Sequence, residues 1–194
     1  TGTGTIDFAG STNVAFTNVT TVDASANTGG ATINAAASTK DLTVTGGTAA
    51  DTLTVDLTTN DKVTLTAGTG DDVVTIDNGA AIANTTTLNS TDSIAGGDGT
   101  DTIVMDANTA DSLDGDTDRS VLTGFERIRF ADDLNNETID VSKFSINYAQ
   151  IDALTTTAAA TLNGFSSGAT IEYRAAGNST VGVNIGITGA TGAG

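Results

Sequence analysis

"GGDGTDTIVMD", residues 96–106, places three glycines ahead of Asp101 and an apolar run behind it. Glycine adopts positive φ angles that side chains resist, so the first half reads as a tight turn. Ile103 and Met105 then recur at a spacing of two, the period of a half-buried β-strand. Asp101 sits where turn becomes strand. Its carboxylate either closes the turn with a hydrogen bond to backbone or joins the turn carbonyls around a hard cation.

The same arrangement occurs twice upstream. "GGTAADTLTV" (46–55) and "AGTGDDVVTI" (67–76) align with "GGDGTDTIVM" (96–105), bringing Asp51, Asp72 and Asp101 into one column. The apolar pairs Leu53/Val55, Val74/Ile76 and Ile103/Met105 follow in step. A weaker copy, "TGGATIN" (28–34), keeps the glycines and lacks the aspartate. Such internal repetition points to stacked supersecondary units. The copies start 21 and then 29 residues apart, room for two or three short strands joined by turns. "KDLTVTGG" and "NDKVTLTAGTG" supply the intervening strands, with Leu42/Val44 and Val63/Leu65 alternating. The expected fold is therefore all-β, a parallel β-solenoid resembling a β-roll, with glycine-aspartate turns and lateral loops on its longer coils.

Strand parity sorts the carboxylates. Asp51, Leu53 and Val55 share parity, so Asp51, Asp72 and Asp101 start on the inward side, whereas Asp56, Asp77 and Asp106 fall on the opposite one and read as strand terminators. After residue 106 the pattern changes. Residues 107–136 read as a polar lateral excursion, with room for a short helical turn, followed by the strand-like "VLTGFERIRF" (121–130). Residues 137–194 read as further coils, ending with Val181, Val183, Ile185 and Ile187 on one face. No boundary divides residues 1–194 into two domains. The chain opens at Thr1 without methionine and closes on "GITGATGAG", which reads as an internal piece of a longer protein.

Charge narrows the function. With 24 acidic and 7 basic residues the net charge is −17, which argues against nucleic acid and against docking on anionic lipid; no stretch is apolar enough for membrane insertion. An apolar content of 38% with no proline argues against a disordered acidic linker. Without cysteine there is neither a disulfide framework nor a thiolate zinc site. Without histidine as well, Ser-His and Cys-His catalysis is excluded. Carboxylate pairs for glycoside chemistry remain, but few aromatics are present to stack on sugar and no basic cluster to meet a uronate. The chain is not read as an enzyme.

Calcium takes about six to eight oxygens in tolerant geometry. Two glycine-rich turns stacked about 4.8 Å apart would offer carbonyls and carboxylates from both sides. The G-G-x-G-x-D-x-apolar-x spacing is a known calcium nonapeptide. Residues 96–104 match it in full, residues 67–75 have Ala67 for the first glycine, and residues 46–54 have Ala49 for the third. Candidate ligands are Gly46, Gly47 and Asp51; Gly68, Thr69, Gly70 and Asp72; and Gly97, Asp98, Gly99 and Asp101, forming one file of ions along one edge. "DGDTD" (114–118) adds Asp114, Asp116 and Asp118. Arg119 and Phe125 stand where an EF-hand needs glycine and glutamate, leaving an irregular calcium loop or a solvated acidic one.

The matched turns resemble the repeats of the RTX family of calcium-binding secreted proteins. The wider phrasing is similar to RTX-type bacterial surface-layer proteins: "VTTVDASANTGGATI" (19–33), "LTGFERIRF" (122–130), "DVSKFSINYAQI" (140–151) and "LNGFSSGATIEY" (162–173). That resemblance implies type I secretion, folding triggered by calcium (Ca2+) outside the cell, and self-association into a surface lattice. It also implies attachment to a cell-surface polysaccharide through another part of the parent protein. The other reading is a stalk or binding module of an RTX adhesin, or an accessory domain of a secreted carbohydrate-active enzyme.

Overall fold

Short β-branched runs separated by glycine and asparagine turns dictate strands of about four residues, and the chain lays them alternately on two faces. The computed structural model describes residues 6–7, 18–57, 62–77, 90–115, 121–134, 137–152, 159–174 and 183–187. On one face, β1 (Ile6–Asp7), β3 (Ala31–Asn34), β5 (Thr52–Val55), β7 (Val73–Ile76), β9 (Thr102–Met105), β11 (Arg127–Phe130), β13 (Tyr148–Ile151) and β15 (Thr170–Tyr173) form an eight-stranded sheet in that order. On the other, β2 (Thr21–Asp23), β4 (Leu42–Thr45), β6 (Val63–Thr69), β8 (Ser93–Asp98) and β10 (Leu122–Thr123) form a five-stranded sheet. β12 (Thr138–Asp140), β14 (Ala160–Phe165) and β16 (Val183–Ile187) form a third. Every pairing among the described residues is parallel. The protein is a parallel β-solenoid.

Register follows the sequence repeat. Thr52 pairs with Val73 and Val73 with Thr102, so Asp51, Asp72 and Asp101 occupy one column. Inward positions are apolar and sealed: Leu42, Val44, Leu53, Val55, Val63, Leu65, Val74, Ile76, Ile94 and Ile103 belong to one core between the faces. Each such side chain contributes about 1.5–3 kcal/mol of burial. Outward positions carry threonine, as at Thr43, Thr64 and Thr54, which suits a pleated, solvated surface. Beyond β10 the core coarsens, with Phe130 and Phe165 fully buried.

The second face is interrupted between β10 and β12. The polar excursion after residue 106 holds an α-helix, α1 (Ala107–Asp114), longer than the single turn expected. Asp106 caps it by accepting from Thr109 N at 2.6 Å, and Ala107, Ala110 and Leu113 turn a narrow apolar stripe inward. α1 packs against β12 and the 3-10 helix Val141–Phe144. Of the last apolar run, Val183 is half-buried and Ile185 is 37% exposed; Val181 lies outside the described residues.

Candidate metal centre

The turns that enter β5, β7 and β9 stack on one edge of the solenoid. Gly68 pairs with Gly97 and Thr69 with Asp98, so the 67–72 and 96–101 turns superpose residue on residue. Gly68, Gly70, Gly97 and Gly99 all have positive φ. A side chain at Gly99 would also collide with the Gly70 carbonyl of the coil beneath. Glycine is required here for conformation and for close approach alike. In the 46–51 turn, neither glycine nor Ala49 adopts positive φ.

Asp51, Asp72 and Asp101 are each at most 1% exposed, as their inward parity requires. Their carboxylates form a ladder along the coils. Asp51 Oδ1 accepts from Ala31 N at 2.6 Å, Asp72 Oδ1 from Asp51 N at 2.7 Å, and Asp101 Oδ1 from Asp72 N at 2.8 Å. Glu126 continues it, its Oε2 accepting from Asp101 N at 2.8 Å. Each carboxylate thus satisfies an amide that the turn geometry would otherwise leave without a strand partner.

The second oxygens separate the three turns. Asp51 Oδ2 accepts from Gly47 N at 2.5 Å. Asp72 Oδ2 and Asp101 Oδ2 are buried with no hydrogen-bond partner. These are the two turns whose glycine at the Gly47 position, Gly68 or Gly97, is left-handed. A buried polar atom without a partner costs about 1–3 kcal/mol, and more when charged. The electrostatics agree. Burial, reinforced by the negative charges of Asp101, Asp51 and Asp71, pushes the Asp72 carboxyl up to about 6. Burial also raises Asp101, with Glu126, Asp71 and Asp98 adding to the effect.

The fit to a cation differs by turn. At Gly96, the space a Cβ would occupy is bordered by Asp101 Oδ2, 2.7 Å away, and by the Gly124 carbonyl of the next coil. An unpartnered carboxylate oxygen and a carbonyl oxygen of the next coil therefore both pack against Gly96 where no Cβ would fit, and they are donors of the kind calcium takes. In the middle turn Ala67, fully buried, stands level with Gly96 and puts a methyl group at that position. In the first, Gly46 packs as closely against Asp51 Oδ2 and the Ala67 carbonyl, but Asp51 Oδ2 is already engaged by Gly47 N. No group of three acidic side chains converges on one point among the described residues. Any ion here would draw most of its oxygens from backbone.

Other candidates hold structural partners. Thr69 donates its hydroxyl to Thr48 O at 3.2 Å, and Asp98 O accepts from Gly70 N at 2.9 Å while its side chain is exposed. Asp114 Oδ2 accepts from Asp140 N at 2.7 Å, tying α1 to β12. Asp116 and Asp118 lie outside the described residues. Among the opposite-parity set, Asp77 is exposed and Asp56 is only 9% exposed. The sequence pattern includes Gly96 as the first glycine of its fully matched turn but does not bring out Gly124 or Glu126. The signal is present in "TGFERI", where Glu126 stands two residues before the apolar Ile128 as each aspartate stands before its own strand. Comparisons with protein-family models, with curated proteins and with solved structures find no match to this chain.

Proposed function

We propose that this solenoid is a structural, calcium-binding component of a bacterial surface layer of the RTX type, folding and associating outside the cell when calcium is supplied. The reading rests on one observation above the others: Asp101 Oδ2 is buried and unpartnered, and it packs with the Gly124 carbonyl of the next coil against Gly96. Asp101, the Gly124 carbonyl and the carbonyls of the 96–101 turn would hold the ion. Bound there, calcium supplies positive charge that stabilises the ionised carboxylate and ties one coil to the next. The protein's own residues do the rest: Glu126 and the ladder amides fix the carboxylates, and the glycines keep the backbone close. Calcium titration by calorimetry, with light scattering on the same samples, tests both halves. Binding at about 10⁻⁴–10⁻³ M, as for extracellular sites, together with calcium-dependent association supports the reading. Binding without association favours an adhesin stalk, and no binding at millimolar calcium contradicts both.

A further inference from the structure

Outward positions of the eight-stranded sheet change character at β11. In the earlier coils they are mostly uncharged, as at Thr32, Thr52, Thr54, Thr75 and Thr102. Over β11, β13 and β15 the register brings Arg127 beside Tyr148 and Gln150 beside Glu172, with Arg129, Asp152 and Arg174 alongside. Steps of 21 and 22 residues keep this cluster invisible in the linear sequence. The face is built and partly locked. Tyr148 donates its hydroxyl to Glu172, Gln150 Nε2 donates to the same carboxylate at 3.2 Å, and Arg129 Nε pairs with Asp152 Oδ2 at 2.6 Å.

Arg127 is held differently. Its guanidinium lies 4.9 Å from the Tyr148 ring centroid and forms no ion pair among the described residues. A cation–π contact of this kind orients the group while leaving its N–H donors available. Arg174 Nε is 3.9 Å from Glu172, a loose pair on an exposed side chain. In a chain of net charge −17, an oriented and unpaired arginine is conspicuous. The rest of the charge is unevenly spread. Residues 1–118 hold 17 acidic and two basic residues, a net −15, whereas residues 119–194 hold seven and five, a net −2. Asp23, Asp41, Asp71 and Asp98 are exposed on the earlier coils.

We propose that the outward face of β11, β13 and β15 docks the acid-rich earlier coils of a second copy of this chain, with Arg127 and Arg174 receiving its carboxylates. The proposal rests on the reading of the chain as self-associating. Uniformly acidic copies repel, so the end of lower charge is where a neighbour's acidic coils approach most easily. A contact between two different surfaces propagates head to tail into rows rather than closing as a dimer. Exposed ion pairs contribute orientation and salt dependence more than raw affinity.

Sedimentation of the whole chain in millimolar calcium, at low and high sodium chloride, tests this with the double variant Arg127→Glu/Arg174→Glu. Circular dichroism and calcium calorimetry verify that the variant folds and binds as the parent does. The parent is expected to associate at low salt and dissociate at high salt. The variant should need roughly tenfold more protein to associate, or stay monomeric. Association of the variant equal to the parent's overturns the proposal alone. A parent that stays monomeric in calcium at low salt overturns the self-association reading and this proposal with it. If the variant instead loses binding to soluble polygalacturonate while still associating, the face serves an acidic glycan and the proposal fails.

Discussion

A single methyl group separates the middle turn from the best-formed one. Ala67 stands level with Gly96, the glycine that packs directly against Asp101 Oδ2 and the Gly124 carbonyl. Ala67→Gly should therefore raise calcium affinity at the middle turn, while costing about 0.5–1 kcal/mol of metal-free stability; calorimetry and melting on the same variant separate the two effects. Asp101→Ala should weaken calcium binding roughly tenfold. Asp106→Ala, which removes only the α1 cap, should leave it unchanged. Protonation gives a third test at this scale. The Asp72 carboxyl titrates at about 6 in the folded chain and at about 3.9 unfolded. Between those values the folded state holds a proton that the unfolded state has lost, so metal-free stability falls as pH rises from about 4 to about 6. The loss is on the order of 2–3 kcal/mol, complete above that window. Calcium should act oppositely, binding more weakly as pH falls, because it needs the ionised oxygen of Asp101, whose carboxyl is raised by burial above its ordinary range. Urea melts in chelator across this range test the sign. The aspartate column is legible in the sequence because residue type, spacing and parity all agree. Which oxygen stays unpartnered is not, since that depends on whether the Gly47, Gly68 or Gly97 amide turns toward the carboxylate.

Strands and helix differ in how plainly they are written. β4, β5, β6 and β7 alternate Val, Leu or Ile with threonine or small residues at period two, and those alternating apolar positions are the buried ones. In β9 Ile103 and Met105 keep that period while Val104 between them is buried as well. α1 is harder to see. Its apolar stripe is only Ala107, Ala110 and Leu113 within "ANTADSLD", too slight to stand out from a polar loop, and its start depends on the Asp106 cap. Glu126 was hidden for a similar reason: the turn before it is shorter than its neighbours, so it falls out of the glycine-aspartate alignment. Two outcomes follow for elements. Asp106→Ala should cost about 1 kcal/mol of stability, read by denaturant melting. Leu65→Ala, at a fully buried position of a central strand, should cost about 2–5 kcal/mol and is expected to leave the metal-free chain largely unfolded.

At the scale of the whole molecule, a slender core and a file of like charges, buried at Asp51, Asp72 and Asp101, oppose one another. Among the described residues, the interior of the early coils is valine, leucine, isoleucine and alanine without aromatics, while Asp51, Asp72, Asp101 and the exposed Glu126 run in one line along the edge. With calcium about tenfold above its dissociation constant, each occupied turn adds roughly 1.4 kcal/mol by linkage, a sizeable share of a marginal domain's stability of about 5 kcal/mol. The same ions lower the −17 field that keeps copies apart, and magnesium, which demands a tighter octahedron, should substitute poorly. The direct test is thermal melting of the parent chain and of Asp101→Ala, each in chelator and in millimolar calcium. The parent's melting temperature should rise by several degrees with calcium, for an increment of about 1–2 kcal/mol, and Asp101→Ala should lose most of that rise. A parent that melts at the same temperature in chelator and in calcium would contradict the account.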